Sequence, residues 1–507
     1  MLNYTGRKAT LLFKAGMFKD LKALGKESLI YGLSTVAARL LNFLLLPFYT
    51  HYLMPADFGV SASLFSYIAF FNILFQHGMD QAYIRHYGER AKALPAAFYG
   101  VGAVSLALAA GICIAPSALS DVAGLGPANG RLVVYSALVL FFDALSAPLF
   151  ADLRMAHKAL QYALLRVLSV VINVVLNLFL IIHLGRGVQG IFEANICSSA
   201  LALALVLVPT YGPLLKPCFD MALYRRMLAF ALPLVPAGLG SMAVQVIDRP
   251  IMLRLTDQAT VGIYQANYRL GIFMMLVVSM FDQAWRPFFI ERSGRPEAPA
   301  LFARVLTFFT IGASWLTLGL SLFIADIVKF QFFGKPLIHP AYWGGLGLVP
   351  VVLWAYVFNG LYINFLAPAI IARRTGYIMA ATLLGAAVNI GANFLLIPVY
   401  GMLGAAWATF AAYACMALFM HLAARGFYAV PYEWGRVLAA AGVGATLTCC
   451  VMLKDMIGSN LWLAIRLLSL FVVFPAAAWR LLTGEEREGI CSLFRNFTAQ
   501  RPDAATF

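Results

Sequence analysis

The sequence predicts an all-α, polytopic membrane protein. Of its 507 residues, 62% are hydrophobic, only 12% are charged, and the mean hydropathy is +0.82. A soluble domain carries about 25% charged residues. The apolar residues also come in runs of about 20, long enough to cross a bilayer as helices.

The elements follow in chain order. The N-terminal stretch MLNYTGRKATLLFKAGMFKDLKALGKES is basic, and the first apolar run comes after it. That run is too long for a signal-peptide core and no small-residue cleavage site closes it, so it reads as a retained first span. Fourteen spans are expected: 28–50, 57–82, 95–116, 131–152, 160–183, 189–211, 224–247, 258–283, 301–325, 346–370, 376–399, 402–424, 435–453 and 460–482. The loops at 51–56 and 184–188 are very short, which makes the helices they join antiparallel neighbours.

Fourteen is even, so both termini share a side. With the N-terminus in the cytoplasm, 26 of the 37 Lys and Arg residues fall in cytoplasmic segments, 7 in external segments and 4 inside spans. The positive-inside rule therefore predicts cytoplasmic termini and a cytoplasmic (inner) membrane location. The same bias explains most of the net charge of +15. No loop carries a long basic patch, so nucleic acid is not an expected partner. The seven cysteines show no metal-binding spacing, and most lie in apolar runs. They read as small buried hydrophobes.

An internal repeat is present. VINVVLNLFL (171–180) aligns with AVNIGANFLL (387–396), matching Asn173 to Asn389 and Asn177 to Asn393. MDQAYIR (79–85) aligns with FDQAWRP (281–287), matching Asp80 to Asp282. Equivalent helices stand six spans apart, so the two halves enter the membrane in the same direction as parallel repeats. The expected organisation is an N-lobe over 1–213, a C-lobe over 214–424, and an additional helix pair with a cytoplasmic tail over 425–507.

Three stretches carry a family resemblance: LLNFLLLPFYTHYLMPADFGVSASLFSYIAFFNILFQHGMDQAYIRHYGE (40–89), RMAHKALQYALLRVLSVVINVVLNLFLIIHLGRGVQGI (154–191), and LPLVPAGLGSMAVQVIDRPIMLRLTDQATVGIYQANYRLGIFMMLVVSMFDQAWRPFFIE (232–291). They resemble the Wzx-like polysaccharide flippases of the multidrug/oligosaccharidyl-lipid/polysaccharide exporter superfamily. The resemblance implies two six-helix lobes around a cavity lined by cationic residues. It also implies movement of a polyprenyl-pyrophosphate-linked oligosaccharide between leaflets, in exopolysaccharide, capsule or O-antigen assembly. Such a function has membrane lipids as partners, with a polysaccharide polymerase and a chain-length regulator as further candidates. No catalytic signature comes with the family.

Against that expectation the charges within spans become candidates. Arg39 sits in VAARLLNFLLLPFY (36–49). A charge near a helix centre costs about 2.5–3.5 kcal/mol on insertion scales, and Arg does not shed its proton. Its fork can hold two phosphate oxygens. The competing reading is an internal pair with Asp143 or Glu193. Arg166 and Arg269 are further cavity candidates. Arg269 follows Tyr264, Gln265, Asn267 and Tyr268, of which Asn267 and Tyr268 suit sugar hydroxyls and rings. Arg466 lies in the additional pair, outside the lobes. Asp248, Arg249, Arg254 and Asp257 cluster near the external end of span 7, with substrate release and a solvated loop as alternative readings. Asp80 and Arg85, with Asp282 and Arg286, are candidates for a gate at the cytoplasmic helix ends. Asp143 and Glu193 are the candidates for coupling to a proton or sodium gradient, or for counter-ions of the arginines. The four asparagines read first as interhelical hydrogen-bond formers. Prolines at 148, 233, 236, 350, 368 and 398 interrupt hydrogen-bond ladders.

No GxxxxGK[ST] loop and no HExxH motif occur, and no long hydrophilic domain could house a glycosyltransferase site. The expectation is a transporter without cofactor or metal, not an enzyme. Rival readings are a lipid II flippase, a multidrug/cation exporter, which should favour acids over arginines, and a membrane-embedded polysaccharide polymerase, which should carry a large external loop.

Overall fold

A computed structural model describes residues 36–37, 39–41, 43–210, 212, 219–332, 334–449 and 459–499. Among them the regular structure is helical, apart from a two-residue antiparallel pairing of Gln331–Phe332 with Lys335–Pro336. Helix α1 covers 36–52, except residues 38 and 42. It is followed by α2 (Pro55–Gln76), α3 (Met79–Arg85), α4 (Arg90–Ile114), α5 (Pro116–Val122), α6 (Gly130–Met155), α7 (Ala159–Leu178) and α8 (Gly187–Thr210). The chain continues as α9 (Met221–Ala231), α10 (Val235–Val246), α11 (Asp248–Leu255), α12 (Gln258–Leu270) and α13 (Ile272–Arg292). Then come α14 (Ala298–Lys329), α15 (Val349–Ile371), α16 (Gly376–Tyr400), α17 (Met402–Ala424) and α18 (Trp434–Cys449). The last are α19 (Ser459–Leu468), α20 (Phe474–Leu481) and α21 (Gly484–Ala499).

Eleven helical stretches are long and apolar enough to cross a membrane, and α12 with α13 makes a twelfth, bent by 48°. The two remaining expected spans correspond to α1 and α18, whose described lengths fall short of the roughly 20 residues a crossing needs. The N-terminal segment 1–35, and Cys218 and Cys450, lie outside the described residues.

Helices α2, α4, α6, α7 and α8 pack into one group, and α10 and α13–α17 into another. The equivalent asparagines of the repeat make the same local bonds in each group. Asn177 Nδ2 donates to the Asn173 carbonyl and side-chain oxygens at 2.8 and 3.1 Å. Asn393 Nδ2 donates to those of Asn389 at 2.8 and 3.0 Å.

The sequence reading is corrected most at span 7. It is not a straight helix over 224–247 followed by a loop. Pro233 and Pro236 break it at a 3-10 turn, Leu232–Leu234, and α11 carries the helical path on to Leu255. The part before the break, α9, packs on α3 and α4, whereas α10 packs on α16. Gly78 permits the first contact: its φ is +72°, and a Cβ there would stand 2.9 Å from the Ala231 carbonyl oxygen. Of the other prolines, Pro350 sits in the first turn of α15, where its missing N–H costs little. Pro148, Pro368 and Pro398 lie inside continuous helices.

At the end where α2 finishes, the Lys/Arg-rich end, Asp152 is buried, with 1% of its surface exposed. It accepts two bonds from Arg90 at 2.6 and 2.7 Å and one from the Tyr83 hydroxyl at 2.5 Å. This joins α3, α4 and α6. At the opposite end, α2 and α12 run side by side in backbone contact, and Tyr342 donates to the Leu53 carbonyl at 2.9 Å.

Candidate functional site

Helix α1 runs along the seam between the two groups. Arg39 Nη1 donates to Ser279 Oγ on α13 at 2.8 Å, and Phe43 meets Phe273 edge-on at 5.3 Å. Beside this contact lies a cavity of about 310 Å³. Arg39, Phe43 and Tyr49 line it from α1, and Phe58, Ser61 and Phe65 from α2. Asn173 contributes from α7, Ile191 and Asn195 from α8, and Arg269 from α12.

Two guanidinium groups therefore face one space from helices almost 230 residues apart in sequence. Arg269 reaches it because α12 ends two residues before the bent junction with α13, after turning Tyr264 and Tyr268 to the other side. Its guanidinium lies 5.4 Å from the Phe58 ring and 5.9 Å from the Tyr49 ring, in range for cation–π attraction. Among the described residues neither Arg39 nor Arg269 forms an ion pair. Their charge stays available to an anion.

The wall facing them is polar. Asn173 Nδ2 donates to Ser198 Oγ at 2.9 Å, Asn195 Nδ2 donates to the Ile191 carbonyl at 2.8 Å, and the Tyr49 hydroxyl donates to Asn177 Oδ1 at 3.0 Å. Fixed cations next to amides and aromatic rings can take a phosphate group with an attached polar, ring-shaped moiety.

Other candidates stand elsewhere. Arg166 is exposed, with its guanidinium 4.1 Å from the Phe150 ring, and does not line the cavity. Asp143 faces Ser199 and the Arg166 charge, and Glu193 pairs with Arg186 at 3.8 Å, so neither neutralises Arg39. Asn267 spends its amide donors on the Ile263 and Tyr342 carbonyls, both at 2.8 Å. It acts as a buried tether. Tyr268 is turned into the second group, where Arg249 lies 4.3 Å from its ring.

Arg249 is not in a solvated loop. It is 5% exposed, pairs with Asp248 at 2.7 Å, and donates to Gln265 Oε1 at 2.9 Å and the Gln245 carbonyl at 2.6 Å. Asp248 also accepts from the Tyr264 hydroxyl. The pair is internally satisfied because the helical path continues through 248–255 and carries both side chains inward. Arg254 is exposed and donates to the Val122 carbonyl, across the two groups. Asp257 caps α12 by accepting from Thr260 N at 2.9 Å.

The four gate candidates do not meet one another. Asp80 accepts from Gln81, Arg85 covers the Phe230 ring at 4.4 Å, and Asp282 pairs with Arg286 within α13 at 2.8 Å. Arg466 pairs with Asp326. Sequence reasoning missed Ser279, Asn195, Ser61 and Phe58 as cavity residues. Nothing local distinguishes them from packing residues, although Asn195 follows the acid Glu193 in an otherwise apolar run. Among the described residues no cluster of His, Cys, Asp or Glu could hold a metal.

A family model described as polysaccharide biosynthesis protein matches residues 50–289. No curated protein matches the chain. Among solved structures, the chain is similar to the lipid II flippase MurJ in an inward closed conformation. That match has 16% identity over 89% of this chain and 98% of that one, with a TM-score of 0.71. It is similar to an inward-facing multidrug resistance MATE family transporter of the MOP superfamily, with 15% identity over 80% and 96% and a TM-score of 0.63. A mutant of the Vibrio cholerae MATE transporter VcmN gives 13% identity over 80% and 97%, with a TM-score of 0.55. At these identities the structural likeness is one of fold. With the sequence match over 50–289 and this all-helical fold, the chain belongs to the polysaccharide flippase family of the multidrug/oligosaccharidyl-lipid/polysaccharide exporter superfamily.

Proposed function

We propose that this protein flips a polyprenyl-pyrophosphate-linked oligosaccharide across the cytoplasmic membrane, for exopolysaccharide, capsule or O-antigen assembly. The single observation that carries the reading is the pair Arg39 and Arg269: two cations without ion-pair partners among the described residues, on one cavity, from two helix groups. A diphosphate offers acceptors to both. Asn173, Asn195, Ser61 and Tyr49 suit the sugar hydroxyls beside it.

Movement follows from the two groups sharing the site. Rocking one against the other exposes the cavity first to one leaflet and then to the other, while the lipid chain stays in the bilayer. Both termini are cytoplasmic on this reading, because 26 Lys and Arg against 7 lie on their side. A proton or sodium gradient drives the cycle, with Asp143 as the coupling carboxylate. Its support is its place within α6, facing Ser199 and Arg166. Partner proteins are a polymerase and a chain-length regulator.

The test is a flipping assay in proteoliposomes with a polyprenyl-pyrophosphate oligosaccharide, run beside lipid II. The oligosaccharide lipid is expected to be the better cargo. Arg39→Lys should retain part of the activity and Arg39→Ala should lose it, because only the fork takes two phosphate oxygens. Full activity in both variants, or faster transport of lipid II, overturns the reading.

A further inference from the structure

A second cavity, of about 1300 Å³, opens between α14, α15, α17, α18 and α19 at the end opposite the Lys/Arg-rich one. It shares no lining residue with the Arg39 cavity. Its volume exceeds the roughly 300–1,000 Å³ of small-molecule sites. Its walls are apolar: Trp354, Phe358, Trp407, Phe410, Leu438 and Ala441. Helix α18 packs on α14, and the cleft between α17 and α18 is left for something else to fill.

The polar groups are of two signs. Lys329 and Arg466 line the cavity, and so do Asp326 and Asp257. Arg466 bonds Asp326 and, at 3.2 Å, the Leu322 carbonyl, yet its Nε has no partner. Two more buried wall atoms, Trp354 Nε1 and Ser321 Oγ, also have no hydrogen-bond partner among the described residues. Orphaned buried polar atoms are uncommon and point to an absent partner. Arg466, Trp354 and Ser321 are 8%, 8% and 1% exposed.

The geometry points to a resident aminophospholipid, phosphatidylethanolamine in kind, as the occupant. Acyl chains fill the apolar cleft. The phosphate faces Lys329 and the free Arg466 Nε, and the primary ammonium donates to Asp326. Two cations and two carboxylates match a zwitterionic head better than an anionic one. A primary ammonium donates hydrogen bonds that a quaternary one lacks. The inference does not depend on the flippase reading, since the site stands apart from the Arg39 cavity.

The full-length protein is reconstituted in nanodiscs of phosphatidylethanolamine, phosphatidylglycerol and phosphatidylcholine in equal parts, with a trace of polyprenyl phosphate. Lipids retained through detergent extraction are read by native mass spectrometry. Phosphatidylethanolamine should be retained about tenfold over phosphatidylcholine, as expected for charge-assisted bonds that only the primary ammonium makes. Gly442 lines the cleft, and a Cβ there meets nothing within 4 Å. Gly442→Leu should therefore fold normally and bring retention down to the bulk share. Asp326→Asn should move the preference toward phosphatidylglycerol. Wild-type protein that retains phosphatidylglycerol or polyprenyl phosphate in preference, or shows no enrichment, overturns the inference. So does undiminished retention in Gly442→Leu. The wild-type measurement decides even where a variant fails to fold.

Discussion

Gly59 on α2 and Gly262 on α12 hold their helices in reciprocal backbone contact. A Cβ on Gly59 would stand 3.0 Å from Gly262 N and overlap the Gln258 carbonyl oxygen. A Cβ on Gly262 would stand 2.9 Å from Gly59 N and overlap the Pro55 carbonyl oxygen. Small residues allow this kind of approach between membrane helices. The contact shuts the end opposite the Lys/Arg-rich one, where Arg254 also reaches the Val122 carbonyl.

Gly262→Ala should destabilise this closed end by about 1–3 kcal/mol, the usual cost of overpacking, because the obstacle is backbone and does not swing aside. Cysteines at positions 122 and 254 report on the closure. Their cross-linking should fall about tenfold in the Gly262→Ala background. An unchanged yield means the helices part without consequence.

Arg39 and Arg269 should act on one ligand. Arg39→Ala and Arg269→Ala should each weaken binding of a short-chain polyprenyl diphosphate by about 1.5–3 kcal/mol, as for lost charged hydrogen bonds. The two losses should not add, since both groups serve the same diphosphate. Isothermal calorimetry on the single and double variants measures the coupling. Strict additivity would mean separate sites.

Asp152→Ala should cost stability, since it removes an acceptor of three bonds and leaves Arg90 and Tyr83 unsatisfied. Breaking a buried pair costs about 3–5 kcal/mol. Arg90 is 38% exposed and regains water, so about 2–3 kcal/mol is expected. Thermal unfolding in detergent gives the number, and ligand affinity at Arg39 should stay unchanged.

Glu486 ties α21 to α18 through Arg436, and accepts from Thr483 N at 2.8 Å. Burial raises its pKa, but the Arg436 guanidinium and the Thr483 N–H more than offset this and hold the carboxyl below the usual range. The sign follows from the depressed value. The stabilisation is complete above the unfolded value of about 4.3 and is lost as pH falls through the lower folded value. Proteolysis in the 482–499 segment should therefore accelerate below about pH 4 in the wild type. Glu486→Gln should be cleaved faster at neutral pH, with little further change on acidification.

Much of the architecture was legible because it is local. Runs of apolar residues fix where helices form, and their length fits the bilayer. The Asn173–Asn177 and Asn389–Asn393 bonds follow from i, i+4 spacing on one helix, which any sequence reading exposes. The depth of Arg39 and Arg269 within their runs also marked them as costly charges in need of a purpose.

The partners of those charges were not legible. Asp326 answers Arg466 across 140 residues, and Ser279 answers Arg39 across 240. Arg166 has the same kind of sequence surroundings as Arg269, yet one is exposed and the other faces the cavity. The sequence alone determined that this is an all-helical membrane protein with a repeated half and arginines at membrane depth. Only tertiary structure decided which arginines share a space, that Arg249 is consumed by Asp248, and that two glycines close one end. The physical reason is that periodicity sets the face of each helix relative to itself. Its rotation against a neighbour is set by packing among residues hundreds of positions away.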